Sequence, residues 1–147
     1  MAAMADRRKR LHEEIEELFA DLWPVHGFSG LHRGFRPNVD SYLTDDPPEL
    51  TVKVDLPGVD PASLKVVAHE RTLVVAGERG REKVDGAVYQ QMEIEVGPFR
   101  RQIRLSNDVD PEHANARYDR GVLTVTLPVI EQPVATADRF LIVVSRS

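Results

Sequence analysis

The stretch Asp108-Val109-Asp110-Pro111-Glu112 sets three carboxylates at alternate positions, as an oxygen-liganded calcium loop begins. A calcium loop needs glycine at its sixth position and a bidentate glutamate at its twelfth. His113 and Asp119 stand there instead. Gly27-Phe28-Ser29-Gly30 lacks the spacing of a nucleophile elbow, and Gly77-Glu78-Arg79-Gly80 is not a phosphate loop. His26 and His32 have no cysteine or carboxylate company, and His12, His69 and His113 are scattered. With zero cysteines there is no thiolate nucleophile and no Cys-ligated zinc. No nucleophile and base recur at a workable spacing. The chain is therefore expected to be no enzyme, with no metal and no cofactor.

The chemistry that remains is apolar association, and it concentrates at the two ends. Leu11, Ile15, Leu18, Phe19 and Leu22 fall at i, i+4, i+7, i+8 and i+11, one stripe at the helical period. Asp6 is a candidate N-cap, and Trp23-Pro24 closes the helix because a residue before proline avoids the α region. A helix of this length is marginal alone in water, so its stripe must be covered. Residues 25–35 follow as a glycine-rich linker carrying Phe28 and Phe35. At the other end, Phe140-Leu141-Ile142-Val143-Val144 is an apolar run too short for a membrane span. It is either the last strand of the chain's own fold or a plug for a groove on another copy.

Between these ends the period changes to two. Leu50, Val52, Val54 and Leu56 share one face of 49–56 before Pro57-Gly58 stops the strand. Leu64, Val66 and Ala68 alternate, and 72–76 is a short apolar strand. Val88, Gln90, Met92, Ile94 and Val96 alternate again, then Phe99, Ile103 and Leu105, and 122–127 closes the series. Arg120-Gly121 reads as a hairpin turn with positive φ. Many short strands without intervening helices predict an all-β, immunoglobulin-like antiparallel sandwich of seven or eight strands. The charged stretch 78–87 is too long for a simple hairpin, so the strand after it is expected to pair away from its sequence neighbours. Residues 129–138 read as a tether. The expected organisation is a helical N-terminal arm at 1–35, the sandwich at 36–130 and a C-terminal extension at 131–147.

The chain has 147 residues, 41% of them hydrophobic, enough to fill one core. A net charge of -5 disfavours a general nucleic-acid binder. Arg7-Arg8-Lys9-Arg10 is the local exception and reads as a solvated helix start. Leu11-His12-Glu13-Glu14 follows it, so no secretory leader is expected, and a reducing cytoplasm fits the lack of cysteine. Arg100, Arg101 and Arg104 are read as facing solvent or the acid-rich loop rather than as an anionic-ligand patch.

Gly97-Pro98-Phe99-Arg100-Arg101-Gln102-Ile103-Arg104-Leu105, then Val109-Asp110, then 116–128 ending Gly121-Val122-Leu123-Thr124-Val125-Thr126-Leu127-Pro128, resembles the α-crystallin domain of small heat-shock proteins. Asn38-Val39-Asp40 and Asp55-Leu56-Pro57-Gly58 match the family's upstream stretches, so the resemblance runs from about Arg36 to Pro128. Ser106 and Val129 depart from its usual proline and basic residue.

The resemblance implies an ATP-independent holdase that binds partly unfolded clients and assembles from dimers into larger homo-oligomers. In the bacterial and plant branch, a strand in the long loop crosses to the neighbouring subunit. Here that strand would comprise Val88, Tyr89, Gln90, Gln91, Met92 and Ile94. The family's tail seats an I-x-I/V pair beside the strand equivalent to 64–68, here Ile142 and Val144 in a groove of Leu64, Val66 and Ala68. Leu141 and Val143 are the alternative register, and the groove of another subunit is the favoured seat. The stripe with Trp23, Phe28 and Phe35 is read as an assembly and client surface rather than core. The rival is a non-oligomeric co-chaperone or docking module of the same shape.

Overall fold

The computed structural model describes residues 35–131 and 139–146. The arm positions Leu11, Ile15, Leu18, Phe19, Leu22, Trp23 and Phe28 lie outside the described residues. Within them are nine strands: β1 (Val39–Thr44), β2 (Glu49–Asp55), β3 (Lys65–His69), β4 (Thr72–Arg79), β5 (Gly97–Arg104), β6 (Asn115–Asp119), β7 (Val122–Pro128), β8 (Phe140–Ile142) and β9 (Val144–Arg146).

Two sheets stack. One runs β1-β2-β7-β6-β9 and the other β5-β4-β3-β8. Alternation decides which face of each strand is buried. In the first sheet Leu50 opposes Leu127, Val52 opposes Val125 and Val54 opposes Leu123. All six belong to the core cluster, with Val66, Leu73 and Val75 facing them from the second sheet. A one-residue slip would turn these side chains to solvent, so the pattern fixes the register.

Turn chemistry joins the strands. Arg120 and Gly121 take φ 53 and 79, the left-handed pair whose twist suits a two-residue hairpin between β6 and β7. Short 3-10 turns at Pro61–Ser63 and Pro111–His113 begin with a proline and are capped by Asp60 and Asp110. Each capping carboxylate accepts from a backbone N–H two residues on.

Within one subunit the segment from Gly80 to Val96 runs without a strand partner between β4 and β5. Its alternating pattern is real, but no free sheet edge of its own subunit receives it. Two expectations need correction. Phe35, assigned to the arm, is only 5% exposed and sits in the core cluster. Its ring lies 5.0 Å from that of Phe99, with the Arg79 guanidinium 3.8 Å above it. The glycine content around it suggested a linker, yet burial of an aromatic ring outweighs local composition. Second, the tail adds β8 and β9 to the chain's own sheets, and β6–β9 is a parallel pair in an otherwise antiparallel arrangement.

Candidate functional site

Two of the three carboxylates that resembled a calcium loop, Asp108 and Asp110, are spent on structure. Asp108 accepts two hydrogen bonds from Arg71, at 3.0 and 3.1 Å, which hold its carboxyl below the usual aspartate range. Asp110 caps the 3-10 turn through one oxygen and meets His113 Nδ1 at 2.6 Å through the other. Gly77 serves a packing purpose, since a Cβ there would lie 2.8 Å from the Phe99 ring. Among the described residues no group of three or more potential ligands is placed to hold a metal ion. None of their helices is long and apolar enough to cross a membrane.

The sandwich has two sides along which its sheets end, one open and one covered by the tail. On one side are the outer strands β1 and β5. β1 is exposed along nearly its whole length, with Tyr42 and Leu43 about half exposed. Phe99, Arg101 and Ile103 share the inward face of β5, so Arg101 points into the mouth between the sheets. Its Nε is buried without a hydrogen-bond partner among the described residues. Burial first, and then the nearby charge of Arg36, weaken its hold on the proton. An inward charge on an edge strand discourages indiscriminate pairing and invites a partner carrying an acid.

Next in the chain is the segment expected to cross. Residues 81–95 are exposed throughout, with Val88 80% and Ile94 70% accessible and Tyr89 and Met92 about half. Two arginines tie down its base: Arg79 donates to the carbonyls of Glu95 and Pro57, and Arg81 to that of Ile94. The apolar residues are thus held away from the chain's own core. Gln90 and Gln91 are exposed with them.

On the opposite side β8 and β9 are the outermost strands, laid against β3 and β6. Val66 opposes Ile142 and Ala68 opposes Phe140, while Ala116 opposes Val144. Ile142 is 6% exposed and joins the core cluster; Val144 packs against that cluster and Val143, between them, is 81% exposed. Leu141 is half-buried over Val67. Leu64 is buried just ahead of β3. The occupied register is therefore Ile142 with Val144, bridging the two sheets like a clasp. The seat is filled by the same subunit's tail, where the sequence favoured a neighbour's. Nine residues separate Ile130 from Phe140 and span up to about 30 Å, ample for the chain's own groove.

Sequence reasoning missed the outer edge strand β1 as a surface and the inward direction of Arg101. The parity of Phe99 and Ile103 was a readable signal for the latter.

Comparison with known proteins agrees with this geometry. The profile of the Hsp20/alpha crystallin family matches residues 42–143. The chain is 44% identical to the 16.9 kDa class I heat shock protein 1 of Triticum aestivum, over 77% of this chain and 83% of that one. Among solved structures it is similar to heat shock protein 16.0 from Schizosaccharomyces pombe, with a TM-score of 0.61 and 27% identity over 71% of this chain and 96% of that one. A small heat-shock protein from Xylella fastidiosa matches with a TM-score of 0.54 and 30% identity, over 73% and 94%. A β-sandwich with these edges, matched over most of its length by such relatives, belongs to the Hsp20/alpha crystallin family of small heat-shock proteins.

Proposed function

We propose that this chain is an ATP-independent holdase, non-enzymatic, which binds exposed apolar segments of partly unfolded proteins and works as a homo-oligomer built from dimers. The observation that carries the reading is the exposed segment 81–95, whose Val88, Tyr89, Met92 and Ile94 are left uncovered beside a sheet with an open β1 edge. An extended segment meeting an unpaired edge gains main-chain hydrogen bonds and alternate side-chain contacts. In the dimer, 88–94 of each subunit adds to β1 of the other. Glu93 or Glu95 then comes within reach of Arg101 in the mouth beside that edge. The Xylella fastidiosa relative is described as having a distinct high order structure, which supports assembly beyond the dimer.

The second reading, a self-contained docking module, is favoured by one observation: the tail occupies its own groove. In the oligomeric reading the same seat is filled by a neighbour's tail, and exchange between the two links subunits. Tails weak individually hold an assembly together through effective concentration.

Light scattering of a heat-aggregating model protein, with and without equimolar chain and with no nucleotide, tests the activity. Suppressed scattering together with a solution mass of many subunits is expected. A monomeric mass with undiminished scattering overturns the holdase and leaves the docking module.

A further inference from the structure

The second sheet has an outer face that its core does not explain. Val67 and Val74 oppose each other on β3 and β4, and Ala76 shares their parity. All three point away from Val66, Val75 and Leu73, and none belongs to the core cluster. Yet Val67 and Val74 are 0% exposed and Ala76 is 6%. The segment 81–95 is exposed throughout, so it is not the cover.

The registers draw a grid on this face. One row is Gln102, Val74, Val67 and Leu141, each opposite the next. The row on one side holds Arg100, Ala76 and Lys65, and the row on the other begins with Arg104 and Thr72. An apolar centre is thus rimmed by three exposed cations, Lys65, Arg100 and Arg104. Four strands at about 4.8 Å spacing give a platform about as wide as one helix.

The stretch 11–23, Leu-His-Glu-Glu-Ile-Glu-Glu-Leu-Phe-Ala-Asp-Leu-Trp, has the complementary design. It carries five carboxylates and no lysine or arginine. At about 100° per residue, Glu14 and Asp21 flank one side of the Leu11–Leu22 stripe and Glu16 the other. Phe35, against Phe99 of β5 and Arg79 of β4, brings the chain into the domain on this same sheet. The twelve residues from Trp23 to Phe35 span up to about 40 Å, more than the length of either strand.

We propose that residues 11–23 dock on the outer face of β3, β4 and β5 of their own subunit, with the stripe over Val67 and Val74 and the carboxylates facing Lys65, Arg100 and Arg104. Docking hides the arm's apolar stripe and the sheet's apolar row from other molecules at once. The consequence for client capture rests on the holdase reading; the docking itself does not.

Trp23 is the single tryptophan, so the full-length chain reports on its own arm. Arg100→Glu with Arg104→Glu alters two exposed side chains and is expected to raise acrylamide quenching of Trp23 at least twofold, with the sheet circular dichroism unchanged. Adding Glu14→Lys, Glu16→Lys and Asp21→Lys to that variant restores protection. Quenching that ignores both changes overturns the proposal.

The absence of native cysteine permits a trap. Gln102→Cys is combined in turn with Glu16→Cys, Asp21→Cys and the opposite-facing Glu17→Cys. An intrachain disulfide from Glu16→Cys or Asp21→Cys, but not from Glu17→Cys, is expected on mild oxidation. A disulfide-linked dimer instead places the arm on a neighbour, and indiscriminate or absent closure removes the platform; each overturns the proposal. None of these readouts uses a client, so their failure is separable from failure of the holdase reading.

Discussion

At the scale of single residues, the clearest demands come from close approach and from charge. Gly121 holds φ 79, and a Cβ there would meet Pro57 Cα at 3.1 Å. Gly121→Ala is therefore strained twice, by conformation and by contact, and is expected to destabilise the domain by about 1–3 kcal/mol. Thermal unfolding checks it: a lowered midpoint is expected, and an unchanged one refutes the argument. Tyr118 donates to the Leu56 carbonyl at 2.6 Å, joining the hairpin to the end of β2. Asp108 supplies a pH test. Its carboxyl is held below the ordinary value by the hydrogen bonds from Arg71. A depressed folded-state pKa contributes stability that is complete above the unfolded value, about 3.9, and lost as pH falls through the lower folded value. Asp108→Asn should be the less stable protein at neutral pH, with the gap to wild type closing below about pH 4. Because the pair is solvent-exposed, the gap should also shrink with added salt.

At the scale of elements, the alternating patterns of β2, β3, β5 and β7 and the apolar run of β4 were legible because each has one face in a common core. The Arg120-Gly121 turn was legible because its backbone admits few residue types. The segment 88–96 carries the same alternation but gets no partner within the subunit, and alternation alone says nothing about where a partner is. Phe35 was misplaced for the complementary reason: its burial depends on Phe99 and Arg79, some 64 and 44 positions away, which no local window contains. The exposed segment gives the dimer proposal its sharpest test. Gln90→Pro removes a main-chain donor in the middle of the proposed added strand while touching nothing in the sandwich. It should shift the dimer to monomer in sedimentation, with unchanged sheet signal. Arg101→Leu should do so in part, since it removes the inward charge that an acid of the partner would meet. If Gln90→Pro leaves the dimer intact, strand addition through 88–94 is wrong.

At the scale of the whole molecule, the tail and the arm pose the same question: which subunit covers them. The tail's seat on β3 and β6 is built from Val66, Ala68 and Ala116, residues every copy presents equally. Own-chain and neighbour seating therefore make the same contacts, and the choice rests on tether entropy and on concentration. Assembly through tails should grow with protein concentration, whereas a permanently self-seated tail gives a mass that does not change. Truncating Ile142 and Val144 to alanine distinguishes the cases further. Each loss removes apolar surface from the clasp, and for a buried isoleucine the cost is about 2–5 kcal/mol. If tails link subunits, Ile142→Ala with Val144→Ala should reduce the assembly toward dimers and also lower the melting midpoint, because a neighbour's tail makes the same contacts with the core cluster. If the tail serves only its own chain, the same double variant should lower the midpoint and leave the mass unchanged. The midpoint thus falls under both arrangements while the mass falls under only one, so the mass separates a plug that joins copies from a strand that completes one.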